Sequence, residues 1–360
     1  MSTRRSMLLG ALVCTVVACG TQAGEDDTSS EASTNGPMLT TAMPTTTGED
    51  PSTSGMPMTT AMTTMADATT AGSSEGEVDT GPTVYFDLGI IPEAPMSEGP
   101  CGKVDFLFVI DNSGSMYEEQ VNLVNSFPGF IAAIQGTLDT VEEYNLGVVT
   151  TDAYSYNNAV PGCSVLGGLV TKTGGGQSSN MVCGPYDAGN NYMTEIDDLA
   201  VSFACAAQVG TSGNGYELTM QAMLDAVDPS LPLAMAGGCN EGFIREDALL
   251  VLVIITDEYD GVGDPEGMTS AGTPGDWYDA VVAAKGGIPE NVVVVSLVNA
   301  VGGPCPPGST VYDGVNIVDF TNMFGANGLV GGVCELDYSP VFTQAVSVID
   351  VACDNFMPPN

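Results

Sequence analysis

Asp111-Asn112-Ser113-Gly114-Ser115 sets a carboxylate and two hydroxyls at alternate positions, directly after an apolar run at 104–110. Oxygens spaced this way in a tight turn can converge on one hard cation, the class of ion that carboxylate, hydroxyl and carbonyl oxygens hold best. A second concentration of oxygen follows the apolar run at 248–256. Asp257, Glu258, Asp260, Asp264 and Glu266 are five carboxylates within ten residues. Their spacing does not match an EF-hand loop, with its alternating ligands and central glycine. A second ion there, Ca2+ held by Glu258, Asp260 and Asp264, competes with a plain solvated acidic loop. The chain has no histidine. That excludes Ser-His-Asp and Cys-His nucleophiles, His-ligated zinc and His-based pH switches. With 45 acidic side chains against six Lys plus Arg, the formal charge is −39. Such a surface repels phosphates, which excludes nucleic acid as a partner. Residues 250–258 also read as a Walker B strand. The one Gly-Lys pair, Gly102-Lys103, is followed by Val104, so no phosphate loop accompanies it and nucleotide is excluded as well.

These groups need a frame, and the hydropathy pattern supplies one. Mostly apolar runs at 104–110, 145–150, 248–256 and 291–298 read as strands buried on both faces, as in a parallel sheet. Amphipathic stretches at 117–134, 195–209, 216–227, 277–285 and 341–354 read as helices between and after them. Alternation of this kind predicts an α/β fold: a doubly wound, mostly parallel central sheet flanked by helices. Gly-rich insertions at 152–194, 257–276 and 302–313 account for its length. In such a sheet ligands sit beyond the carboxyl ends of strands, at the switch point beside the first strand. The strand expected across that point is 248–256, which delivers Asp257.

An apolar strand, then D-x-S-x-S, then a helix resembles the von Willebrand factor type A domain with its metal-ion-dependent adhesion site. The resemblance covers roughly 103–299 in motif order. It implies a Rossmann-like sheet and a Mg2+ (or Mn2+) ion held by Asp111, Ser113 and Ser115, with Asp257 joining, often through water. It also implies a threonine from a loop between these pieces. Thr211, in Val209-Gly210-Thr211-Ser212-Gly213, fits that place, with Ser212 as its rival. Two hydroxyls and few direct carboxylates would leave the ion electron-poor, so that an outside carboxylate completes its shell. The partner implied is a protein ligand offering an Asp or Glu.

The N-terminus reads as an address. Arg4 and Arg5 precede an apolar stretch, 7–18, too short to span a bilayer and suited to a signal peptide at 1–18. It ends Val16-Val17-Ala18-Cys19-Gly20, which resembles a bacterial lipobox with Cys19 as the lipidated residue. Residues 3–8 also resemble a twin-arginine signal, lacking its usual Phe and Lys, so both export routes stay open. The chain is therefore expected to be exported and held on a membrane by its lipid anchor alone, at the cell envelope. Gly20 favours the outer membrane, because it avoids an inner-membrane retention aspartate. Residues 19–83, rich in Thr, Ser, Pro and Met, have too little apolar surface to fold and read as a disordered tether. The globular domain then occupies 84–360.

Ten cysteines occur. Cys14 leaves with the signal and Cys19 takes the lipid. Cys101, Cys163, Cys183, Cys205, Cys239, Cys305, Cys334 and Cys353 remain, an even number that reads as disulfides in an exported domain. Pairing of neighbours would join Cys163–Cys183, Cys205–Cys239 and Cys305–Cys334, with Cys101–Cys353 closing the domain's ends. The function expected is binding, not catalysis: adhesion or another protein contact through the ion. The acidic surface favours a partner that is basic overall. A structural component of an envelope or secretion assembly is the alternative. A hydrolase using Asp111, Asp257 and Glu258 on a metal is the weaker one, lacking a histidine base and a positive group for an anionic substrate.

Overall fold

The computed structural model describes residues 101–137, 141, 143–263, 267, 269–303, 305–306 and 311–358. The signal peptide, Cys19, the tether at 19–83 and Asp264 lie outside them.

Five parallel strands form one sheet: β1 (Lys103–Ile110), β2 (Glu143–Thr150), β3 (Leu249–Ile255), β4 (Val292–Val298) and β5 (Gly328–Gly332), in the order β2-β1-β3-β4-β5. Their near-continuous Val, Ile, Leu and Phe runs require cover on both faces. Among the described residues six helices provide it: α1 (Tyr117–Thr137), α2 (Leu199–Ala207), α3 (Thr219–Val227), α4 (Pro274–Ala284), α5 (Val315–Met323) and α6 (Ser339–Asp354). Val104, Phe106, Phe108 and Ile110 of β1 pack with residues of α1, α2 and α6, while Leu107 and Val109 pack with those of α3, α4 and α5. The doubly wound α/β architecture is thus present, and all five strands are parallel.

Local chemistry sets the element ends. Asp198 caps α2 by accepting from Val201 N–H. Thr273 and Asp276 form a reciprocal capping box around Pro274, so α4 starts ahead of the apolar pattern that foretells it. On the α2 side Phe203 stacks on Phe127 and meets Phe108 edge-on. Asp105 interrupts the apolar β1. It is neutralised by Arg245, whose Nε lies 2.8 Å from Oδ1 and whose backbone N–H donates to Oδ2 at 2.6 Å. Among the described residues no helix is long and apolar enough to cross a membrane.

Among the described residues four disulfides staple the domain. Cys101–Cys353 ties β1 to the end of α6, and Cys305–Cys334 fastens the loop after β4. The other two correct the neighbour pairing: Cys163 joins Cys239, and Cys183 joins Cys205. The long insertion after β2 folds back in two directions, which sequence distance does not reveal. Its first half is held against the loop before β3, where Asn240 Oδ1 accepts from Leu169 N–H. Its second half lies on α2, where Ser179 Oγ donates to Cys205 O.

Candidate functional site

The sheet register brings the two oxygen-rich segments together. Ile110 of β1 pairs with Ile255 of β3, and Asp111 N–H donates to Ile255 O at 3.0 Å, one residue past the strand. Asp111 therefore stands opposite Thr256, whose Oγ1 donates to Asp111 Oδ2 at 2.6 Å. Asp111 Oδ1 accepts from Ser113 N–H at 2.8 Å, which closes the turn. Ser113 Oγ and Ser115 Oγ are 3.0 Å apart. Ser115 Oγ in turn donates to Asp257 Oδ1 at 3.1 Å. A continuous polar path thus runs from Asp111 through both serines to Asp257. Asp111, Ser113 and Asp257 are buried and Ser115 is half-buried, so the path opens toward solvent at Ser115.

Gln120, in the first turn of α1, fixes the third segment. Its Nε2 donates to Asp111 O at 2.9 Å and to Gly210 O at 2.8 Å, and its Oε1 accepts from Gly210 N–H at 2.9 Å. At the loop's other end Gly213 N–H donates to Asn112 O at 2.9 Å. A Cβ on Gly213 would come within 2.6 Å of Asn112, so this close approach needs glycine. Thr211 lies between these two anchors, half-buried, with its N–H on Gly176 O. Ser212 is turned to other work, because its Oγ accepts from Gly176 N–H at 2.8 Å.

The acidic loop divides. Asp260 is buried and fully engaged: it accepts from Met220 N–H, Gly261 N–H, Thr269 Oγ1, Ser270 N–H and Ser270 Oγ. It pins the loop to the start of α3. Glu258 is half-buried at the edge of the site, its N–H on Thr256 Oγ1.

Among the described residues no Lys or Arg side chain bonds to Asp111 or Asp257. Lys103, Arg245 and Lys285 gather at the opposite end of the sheet, where Lys103 pairs with Asp247 and Lys285 Nζ reaches Arg245 O. Lys172 Nζ is held by Asn158 Oδ1. Burial, then the neighbouring charge of Asp111, pushes the Asp257 carboxyl up to about 7, against the Ser115 hydrogen bond. Burial also raises Asp111, opposed by its bonds from Thr256 and Ser113. Glu119, missed by sequence reasoning, adds to the strain. Its Oε2 is buried without a partner, burial raises its carboxyl, and its charge raises Asp257 further. Two buried carboxylates bridged by hydroxyls and lacking a counter-ion suit a hard divalent cation. Among the described residues no three His, Cys, Asp or Glu side chains form a group that could hold a metal ion.

Sequence reasoning also missed Thr151, Asn112, Asp152, Gln120 and Thr256. Asn112 Nδ2 donates to Asp152 Oδ1 at 3.1 Å, and Asp152 Oδ2 accepts from Asn214 N–H. The usable signal was position: Thr151-Asp152 and Thr256 follow the ends of the strands flanking the site. Two clefts of about 490 and 500 Å3 border α3 near Asp225 and Leu231, and none of these residues lines them.

No protein-family model matches the chain, and no curated protein matches it. Among solved structures it is similar to the proximal thread matrix protein 1 of the mussel byssus, at 12% identity and TM-score 0.35 over 69% of this chain and 49% of that one. It is also similar to the pilus adhesin SpaC of Lactobacillus rhamnosus GG in its open conformation, at 16% identity and TM-score 0.35, over 69% of this chain and 30% of that one. The match thus spans about half of the first structure and less than a third of the second.

Proposed function

We propose that this is a von Willebrand factor type A-like binding domain that takes a divalent cation at Asp111, Ser113 and Ser115, with Asp257 beside them and Thr211 from the adjoining loop. One observation carries the reading: the Ser115–Asp257 hydrogen bond, which joins the D-x-S-x-S turn to the end of β3 at the switch point of the sheet. Thr211 is preferred to Ser212 because the Ser212 hydroxyl already serves Gly176. Bound Mg2+ or Mn2+ would supply the positive charge the site lacks, with coordination left for an acidic side chain of a protein ligand. Asp111 and Asp257 hold the charge; Thr256, Gln120 and the Ser113 amide keep Asp111 oriented. Exported, lipid-anchored display at an envelope completes the reading, and four disulfides suit an oxidising compartment.

Calorimetric titration of the chain with Mg2+, Mn2+ and Ca2+ tests this. The wild type should bind one ion saturably, and Asp111→Ala should not. Equal heats in the two proteins would sink the reading.

A further inference from the structure

The exposed aromatic side chains of this domain are concentrated around one place. Among the described residues they are Tyr117 (47% exposed), Tyr156 (36%), Tyr216 (43%) and Tyr312 (39%). All four lie at the carboxyl end of the sheet. Tyr117 follows Ser115 by two positions and opens α1. Tyr312 N–H donates to Asp257 O at 2.8 Å. Tyr216 comes three residues after Gly213, which is bonded to Asn112. Tyr156 packs on the Gly174-Gly175 backbone, and Gly175 in turn abuts Ser212. The other aromatic rings described are buried or half-buried.

The geometry points to these tyrosines as a specificity collar for a basic protein segment that brings a single Asp or Glu to the ion site. The inference rests on the metal-binding reading and names the partner's chemistry. Tyrosine supplies large, rigid contact area at low entropic cost, and it is enriched where interfaces concentrate their energy. Its ring face also attracts Lys and Arg side chains. The charge around the collar selects in the same direction. Glu118 in the first turn of α1 and Asp152, Glu258 and Asp313 on the adjoining loops are acidic, whereas Lys103, Arg245 and Lys285 are at the far end of the sheet and Lys172, on the insertion, is held by Asn158. An all-acidic segment is repelled there. A carboxylate flanked by Lys or Arg meets an ion at the centre and aromatic faces and carboxylates at the rim.

The test uses an array of synthetic nonapeptides with a central Glu or Asp and flanks of Gly, Lys, Arg or Glu, probed with the full chain in Mg2+. Lys or Arg flanks should raise retention about threefold or more over Gly flanks, from one or more ring contacts. Tyr117→Leu, Tyr156→Leu, Tyr216→Leu and Tyr312→Leu, singly and combined, should erode that preference, with melting temperatures used to confirm folding. Replacement by leucine keeps apolar area and removes the ring face. An absent preference, no retention on any peptide, or a preference unchanged in the combined variant would overturn the collar. Magnesium calorimetry on the same samples separates the two readings. Ion binding without flank preference overturns the collar alone. Flank preference that survives chelation and Asp111→Ala, with no magnesium heat, overturns the ion site and leaves the tyrosines as a surface for basic segments alone.

Discussion

Gln120 and Gly210 clasp each other in both directions, side-chain amide to backbone carbonyl and backbone amide to side-chain oxygen, across 90 positions of sequence. The same Gln120 amide also bonds Asp111 O. One buried side chain therefore sets the distance between the D-x-S-x-S turn and the loop that carries Thr211. Gln120→Ala leaves buried backbone groups unpaired, at about 1–3 kcal/mol. Orienting residues behind metal ligands typically carry about 10–100-fold in affinity. The expected result is a folded protein with lowered urea midpoint and magnesium affinity reduced by about tenfold or more. Unchanged affinity would show that the loop takes no part in holding the ion.

Stability in the absence of divalent metal should fall as pH rises through neutrality. Asp257 is pushed up to about 7 and Asp105 to about 6, both chiefly by burial. Each folded-state value lies above its unfolded one, so the folded chain holds protons between about pH 4 and 7 that the unfolded chain has lost. Stability from these groups is greatest below the unfolded values and is lost as pH rises through the folded ones. Urea unfolding in chelator should show the protein about 2–4 kcal/mol more stable at pH 5 than at pH 7.5. Asp257→Asn should remove the larger part of that slope and leave the part due to Asp105. A flat profile in the wild type would contradict the burial of both carboxyls.

Glu119 offers a test of opposite sign. Its buried, unpartnered oxygen and its charge beside Asp111 and Asp257 are unfavourable in the metal-free protein. Glu119→Gln should raise the metal-free melting temperature at pH 7.5, by about 1 kcal/mol in stability. The same substitution weakens the local negative potential, so the gain in melting temperature on adding Mg2+ should shrink. A variant that melts lower without metal and responds fully to Mg2+ would mean that Glu119 serves packing alone.

The frame of the site was legible because buried parallel strands are written as continuous apolar runs. The runs around Phe106, Val251 and Val294 needed no tertiary information. Asp111 and Asp257 followed, since a doubly wound sheet gathers strand ends at one place. What was missed depends on contacts between distant segments. β5 reads Gly-Leu-Val-Gly-Gly, too short and glycine-rich to register as a strand, and α5 followed unnoticed behind an insertion. Gln120 looks like any polar residue of a first helical turn; its role appears only when Gly210 lies against it. The donors that occupy Asp260 come from α3 and from Thr269 and Ser270, and composition points to none of them. The Cys163 and Cys183 partners were equally hidden, because the insertion doubles back on both sides of the sheet.

Those disulfides divide stability from site geometry. Cys101–Cys353 closes a separation of 252 residues far from Asp111, at the start of β1 and the end of α6. Cys183–Cys205 spans 22 residues and fixes the insertion on α2, the helix that runs directly into Val209 and Thr211. Paired serine replacement at 101 and 353 should cost about 2–5 kcal/mol by relaxing the unfolded chain, with magnesium affinity unchanged in the protein that remains folded. The same replacement at 183 and 205 opens a shorter loop and should cost less, about 3 kcal/mol. It should nevertheless weaken magnesium binding severalfold, because Gly176 and Ser212 lose the support that holds the Thr211 loop. Urea midpoints and calorimetry on both pairs read the two effects separately. Equal affinities in the two double variants would place the insertion outside the ion site.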